Sequence, residues 1–185
     1  ERINESASNA LLKTLEETHT GLFILITQRS EKLLSTIRSR CQIVPFISLN
    51  NNQVSKIIEQ LEVAREIDEI PTYKIRELID FSYGSPGRYL INLQSWLSIS
   101  SPLRKKLEAK LNTQIELLQL AKEITDELDI EQQLWIIDFQ QYKAWIEERN
   151  SNVVKQFEEL RKQLLKYVQP RLAWEVTLLE IQLIG

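Results

Sequence analysis

Leu33 to Phe46 reads LLSTIRSRCQIVPF, in which Arg38 and Arg40 flank Ser39 and stand just before Cys41 at the head of an apolar run. Arginine presents a planar fork of permanently charged donors that matches phosphate oxygens two at a time, so the pair reads first as a phosphate grip. The bland alternative is a solvated or surface-paired arginine, the commoner fate of this residue. A further arginine, Arg88, closes the stretch Gly84-Ser85-Pro86-Gly87-Arg88.

Other chemistry is sparse. Cys41 is the sole cysteine, which excludes an intrachain disulfide and a cysteine-rich metal site and fits a reducing cytosol. His19 is also alone, without a neighbouring nucleophile or second ligand, and reads as an exposed loop residue. With a net charge of −3 and a pI near 5.4, the chain has no global pull towards a polyanion, so any nucleotide or nucleic-acid contact must be local or shared with a partner. No run of about 18 apolar residues offers a membrane span, and the N-terminus has no apolar signal region. The chain therefore reads as soluble and intracellular. At 185 residues and 43% hydrophobic it can bury a core in one or two small domains. It has no methionine and opens on Glu1, and so reads as the downstream part of a longer protein.

Positioning the arginines falls to the flanking elements. Ser8 or Ser6 is placed to cap a helix through about Glu17, with Ala7, Ala10, Leu11 and Leu15 on one face. GLFILIT (Gly21 to Thr27) and CQIVPF (Cys41 to Phe46) have the pattern of strands buried on both faces, which predicts the last part of a parallel α/β sheet. From residue 50 the period turns helical. Asn50 and Gln53 are spaced as a capping box ahead of Val54, Ile57, Ile58 and Leu61, predicting a helix to about Val63. Pro71 suits the start of the next, with Ile75, Leu78, Ile79 and Tyr83 on its buried side. Gly84 then takes a left-handed ending, Ser85 caps the following helix and Pro86 fits its first turn, so that Arg88 projects from a tight corner.

The serine-rich SISSP, Ser98 to Pro102, interrupts the helical pattern and is a linker candidate, as is Leu49-Asn50. Beyond it Asp129 and Gln132 cap a long helix carrying Trp135, Phe139, Tyr142 and Ile146, an aromatic stripe that at helical spacing is far more often core than a ligand box. A helix with Val153, Phe157, Leu160, Leu164 and Val168 as its stripe follows, and Pro170 opens a last one through Leu183. A helical bundle with no polar cluster inside is usually a packing or assembly domain.

Taken in order, SASNALLKTLEE (Ser6 to Glu17), LFILIT (Leu22 to Thr27), LLSTIRSRCQIVPF and YGSPGRYL (Tyr83 to Leu90) resemble the bacterial DNA polymerase III clamp-loader subunits of the AAA+ class. Ser39-Arg40-Cys41 is that family's most specific mark. The gamma/tau members usually carry a Leu-Ser-Arg-Cys form, whereas Ile37-Arg38-Ser39-Arg40-Cys41 is similar to the delta-prime form. PRLAWEVTLLEI (Pro170 to Ile181) is similar to the last helix of the delta-prime collar.

The resemblance implies a mainly α chain: the C-terminal remnant of an α/β AAA+ base domain (1–47), a three-helix lid (48–98) and an all-α collar (102–185) that assembles with other loader subunits, gamma/tau and delta among them. It implies a cytoplasmic hetero-oligomer that loads the sliding clamp onto primed DNA. Arg40 would reach in trans, as an arginine finger, to the γ-phosphate of ATP bound with Mg by a neighbour, while Ser39 and Cys41 hold the short turn. Arg38 either helps at the same interface or pairs with a carboxylate of its own surface.

Thr27 and Arg88 match the two sensor positions, and would bind nucleotide only if the full-length protein does. The phosphate loop and the metal-binding acidic strand would lie before Glu1, so this chain holds no cofactor or metal site of its own. By itself the chain is expected to hydrolyse nothing, any enzymatic label coming from the DNA-directed DNA polymerase holoenzyme. Arg88 otherwise docks lid on base. Thr18-His19 and Ser35 stand where the family often has prolines, a difference in loop stiffness.

Two alternatives are a fragment of an active gamma/tau-type ATPase, with Thr27 and Arg88 catalytic in cis, and a purely structural oligomerisation module. Without partner strands, the first 47 residues are expected to be mobile, rearranged or associated with another copy.

Overall fold

A computed structural model describes residues 5–17, 21–60, 70–109, 113–166 and 168–184. His19, Leu61 and Val63 lie outside them. The chain is mainly α and divides into two units, 1–47 and 48–185.

In the first unit, helix α1 (Glu5–Glu17) is followed by a 3-10 turn (Ser30–Lys32) and the single turn α2 (Ser35–Arg38). Helix α1 starts upstream of Ser6 and Ser8, so neither caps it. Residues 21–27 and 41–46, expected as buried strands, contain no strand, and Leu22, Ile24, Ile26, Val44 and Phe46 are exposed. A strand exists only as a member of a ladder, because its backbone donors and acceptors must find partners on a neighbour. Nothing among the described residues supplies that ladder, and the α/β base-domain remnant is accordingly not shown.

The second unit is built from helices α3 (Asn51–Gln60), α4 (Thr72–Phe81), α5 (Pro86–Ser98), α6 (Ser101–Glu108), α7 (Gln114–Glu127), α8 (Ile130–Ile146), α9 (Ser151–Leu165) and α10 (Pro170–Ile184). Their starts are chemically explicit. Asn50 N–H donates to Gln53 Oε1 and Gln53 N–H donates to Asn50 Oδ1, each over 2.9 Å, closing the anticipated capping box. Asp129 with Gln132 and Thr113 with Glu116 form two more. Ser85, Ser100 and Asn150 each accept a backbone N–H from the helix they open. Pro71 sits one residue before α4, as its cap.

Between α4 and α5 the chain reverses through Tyr83 and Gly84, at φ 50° and 77°. Tyr83 is thereby turned outward and exposed, where the helical period placed it inside.

Helices α3, α4 and α5 pack on one another; α8 packs on α9, α10 on both α7 and α9, and α6 on α7. One apolar core runs from Val54 to Trp174. Phe81 of α4, Trp96 of α5 and Trp135, Phe139 and Tyr142 of α8 form a continuous aromatic cluster, Trp135 and Phe139 stacked at 5.3 Å and Phe81 edge-on to Phe139 at 5.4 Å. The aromatic stripe of α8 is thus core, except that Ile146, at its end, is exposed. Buried polar groups tie helices together: Gln133 donates to Leu128 O and accepts from Trp174 Nε1, joining α8 to α10. Val168, expected on the α9 stripe, falls beyond that helix and is exposed.

Candidate phosphate-contacting site

Helix α2 is short, and its last carbonyls need donors from beyond the helix. Ser39 and Arg40 provide them. Ser39 N–H donates to Ser35 O over 2.9 Å, Arg40 N–H to Ile37 O over 3.1 Å, and the Ser39 hydroxyl to Thr36 O over 3.0 Å. Ile37, 2% exposed, anchors the turn from beneath. Cys41 follows as a half-buried free thiol whose N–H reaches Arg38 O at 3.4 Å.

On this turn the Arg40 guanidinium is held at two points. Nη1 donates to Thr36 O at 3.1 Å and Nη2 to Glu16 Oε1 of α1 at 2.5 Å. The side chain remains 42% exposed, with further N–H groups available to a ligand. Arg38 ends α2, also exposed, and pairs with no carboxylate among the described residues.

Thr27 lies in the same unit, and its Oγ1 accepts the N–H of Arg29 at 3.1 Å, a local turn bond open to any threonine. Arg88 belongs to the second unit. It sits in the first turn of α5, its N–H on Ser85 Oγ and its guanidinium 5.7 Å from the centre of the Tyr83 ring. The Ser39–Cys41 turn therefore gathers Arg38, Ser39, Arg40 and Cys41 within the first unit. No cluster of metal-ligating side chains exists among the described residues, and no described helix is long and apolar enough to cross a membrane.

Two further charged residues hold positions that no sequence motif marks. Glu16 is 24 positions from Arg40, beyond the reach of local spacing. Lys74, 1% exposed, is paired with Glu77 and Glu108 and sits 4.5 Å from the Trp96 ring centre. Its signal was visible: it falls on the same helical stripe as Leu78 and Phe81.

Comparison with known proteins assigns residues 52–181 to the family described as cyanobacterial DNA polymerase III delta prime, C-terminal domain, and residues 1–50 to that described as DNA polymerase III, delta subunit. Among individual proteins, DNA polymerase III subunit delta' of Haemophilus influenzae is 52% identical over 56 residues, covering 30% of this chain and 17% of the relative. The subunit of that name from Bacillus subtilis is 40% identical over 62 residues (32% and 19%). That from Pseudomonas aeruginosa is 37% identical over 89 residues (46% and 25%). The matched part thus spans a quarter or less of each of these relatives. No solved structure matches the chain.

Proposed function

Because the chain belongs to the family of the cyanobacterial DNA polymerase III delta prime C-terminal domain, we propose that it serves as a delta-prime-type clamp-loader subunit and offers Arg40 in trans to a neighbouring subunit's ATP. One observation carries this role for Arg40. Its guanidinium is fixed at two points on a short turn, yet keeps 42% of its side-chain surface open to a partner. A rigid delocalised cation so presented can stabilise the charge that spreads over phosphoryl oxygens as the γ-phosphate leaves. Ser39 supports it by closing the turn, and Cys41, half-buried, follows as a small apolar side chain rather than a nucleophile.

ATP and Mg belong to the neighbour in this scheme. The helices α3–α5 act as the lid, and α6–α10 as the collar that assembles with gamma/tau and delta subunits, so that the complex places the sliding clamp on primed DNA. Thr27 and Arg88 contact nucleotide only where the whole subunit binds it. Arg88, held over Tyr83 at the lid's tightest corner, is otherwise free to dock against a base domain.

The test is ATP hydrolysis by the reconstituted loader, stimulated by clamp and primed DNA, with full-length wild-type protein or Arg40→Ala and nucleotide occupancy monitored. Loss of hydrolysis with occupancy kept supports the trans role; unchanged hydrolysis leaves the subunit a structural member of the assembly.

A further inference from the structure

We infer that Glu16 is a positioning residue for Arg40, its carboxylate aiming the guanidinium at the neighbour's phosphate. This rests on the trans role proposed above. The two residues sit on separate elements, α1 and the turn after α2, and their ion pair, Nη2 to Oε1 at 2.5 Å, links those elements. The second tether, Nη1 to Thr36 O at 3.1 Å, approaches from α2 itself. A guanidinium is planar, so bonds from its two terminal nitrogens to two separate acceptors fix both the plane and its rotation about the side-chain axis. With Thr36 O alone, the group could still swing about that bond.

A surface pair of this kind is weak, with side chains 42% and 53% exposed. That weakness suits positioning: the carboxylate orders the fork without outcompeting a polyphosphate for it. A strong, desolvated pair would instead hold the arginine back. The other carboxylate at the end of α1, Glu17, lies within 3.8 Å of Lys13. It therefore provides a control on the same helix that makes no bond to Arg40.

The consequence is specific. Removing Glu16 should slow the hydrolysis step without weakening ATP binding at the neighbouring site, and only while Arg40 is present. In the reconstituted loader with full-length protein, Glu16→Ala is expected to lower kcat roughly ten- to a hundredfold at unchanged nucleotide occupancy, the scale on which misplacing a catalytic group acts. Glu16→Asp should recover part of the loss, Glu17→Ala should match wild type, and Glu16→Ala added to Arg40→Ala should cost nothing more. Wild-type hydrolysis by Glu16→Ala, alongside a defective Arg40→Ala, overturns the positioning role and leaves the trans role standing. An equal loss from Glu16→Ala in the presence and absence of Arg40 also overturns it, because Glu16 would then act through another group. If Arg40→Ala itself hydrolyses normally, both proposals fall together.

Discussion

Lys74 Nζ, on a side chain that is 1% exposed, lies 2.6 Å from Glu108 Oε1 and so binds α4 to the end of α6. Glu77, which also pairs with Lys74, is shared at 4.0 Å with Lys143 of α8, and the ammonium sits among the rings of Trp96 and Phe139. Removing Lys74 leaves Glu108 without its cation, and stranding one partner of a buried charge pair typically costs about 3 to 5 kcal/mol. Lys74→Ala should therefore lower the unfolding free energy by about 3 kcal/mol. Glu108→Gln should cost less, because Glu77 still meets the charge. Urea denaturation measures both, and a Lys74→Ala loss below about 1 kcal/mol, the worth of a surface pair, would contradict the structural assignment.

Gly84 and Gly87 lie three residues apart and should respond oppositely to alanine. At Gly84, φ is +77° and a Cβ would come within 2.2 Å of Leu49 O and 2.7 Å of Leu49 N, backbone atoms that cannot step aside. Leu49 N–H also donates to Gly84 O at 3.0 Å. Gly84→Ala should destabilise by well over about 1 kcal/mol, the left-handed penalty alone being of that size. A Cβ at Gly87 meets nothing within 4 Å, and Gly87 is inside the first turn of α5. Gly87→Ala should stabilise by about 0.5 to 1 kcal/mol. Thermal melts of the two variants should move in opposite directions.

Alkaline pH should loosen the second unit through Tyr142. Burial, and then the carboxylate of Asp80, push its phenol from 10.0 up to about 12. The folded state thus holds this proton more tightly than the unfolded chain does. Its contribution is complete below pH 10, and drains away as the pH climbs towards about 12. Tyr142→Phe has no proton to lose, so its stability should fall less steeply across that window. Equal slopes for both proteins in denaturant titrations at several alkaline pH values would remove this explanation.

How far these features could be read from sequence depends on how local their causes are. The boxes at Asn50 with Gln53 and Asp129 with Gln132 are four-residue patterns whose partners lie within the pattern, and both formed as spaced. The Gly84-Ser85-Pro86 corner is equally local. Ile24 and Val44 belong to runs with strand-like composition, but a strand also needs a neighbour at a distance, and composition carries no information about whether that neighbour is there.

The same limit hid Glu16. The Ser39-Arg40-Cys41 triplet marked the turn, whereas the carboxylate reaching it from α1 depends on how two elements meet. Lys74 was legible in principle, since a lysine on the Leu78 and Phe81 stripe must either break the helix face or be paired inside it. Tyr83 fooled the periodicity because the helix ends at Phe81, and a left-handed residue points its side chain away from the face that 3.6-residue spacing assigns.

Arg40 is the centre of the account, and its chemistry is separable from its charge. In single-turnover hydrolysis of ATP at the neighbouring site proposed for Arg40, Arg40→Lys keeps a cation but loses the planar fork. With nucleotide bound and clamp and primed DNA present, the prediction is that Arg40→Ala slows the bond-breaking step by roughly 10³-fold or more, as for arginine fingers elsewhere, and that Arg40→Lys restores little of it. Hydrolysis at the wild-type rate in both variants would contradict the trans role and leave Arg40 as a surface arginine paired with Glu16.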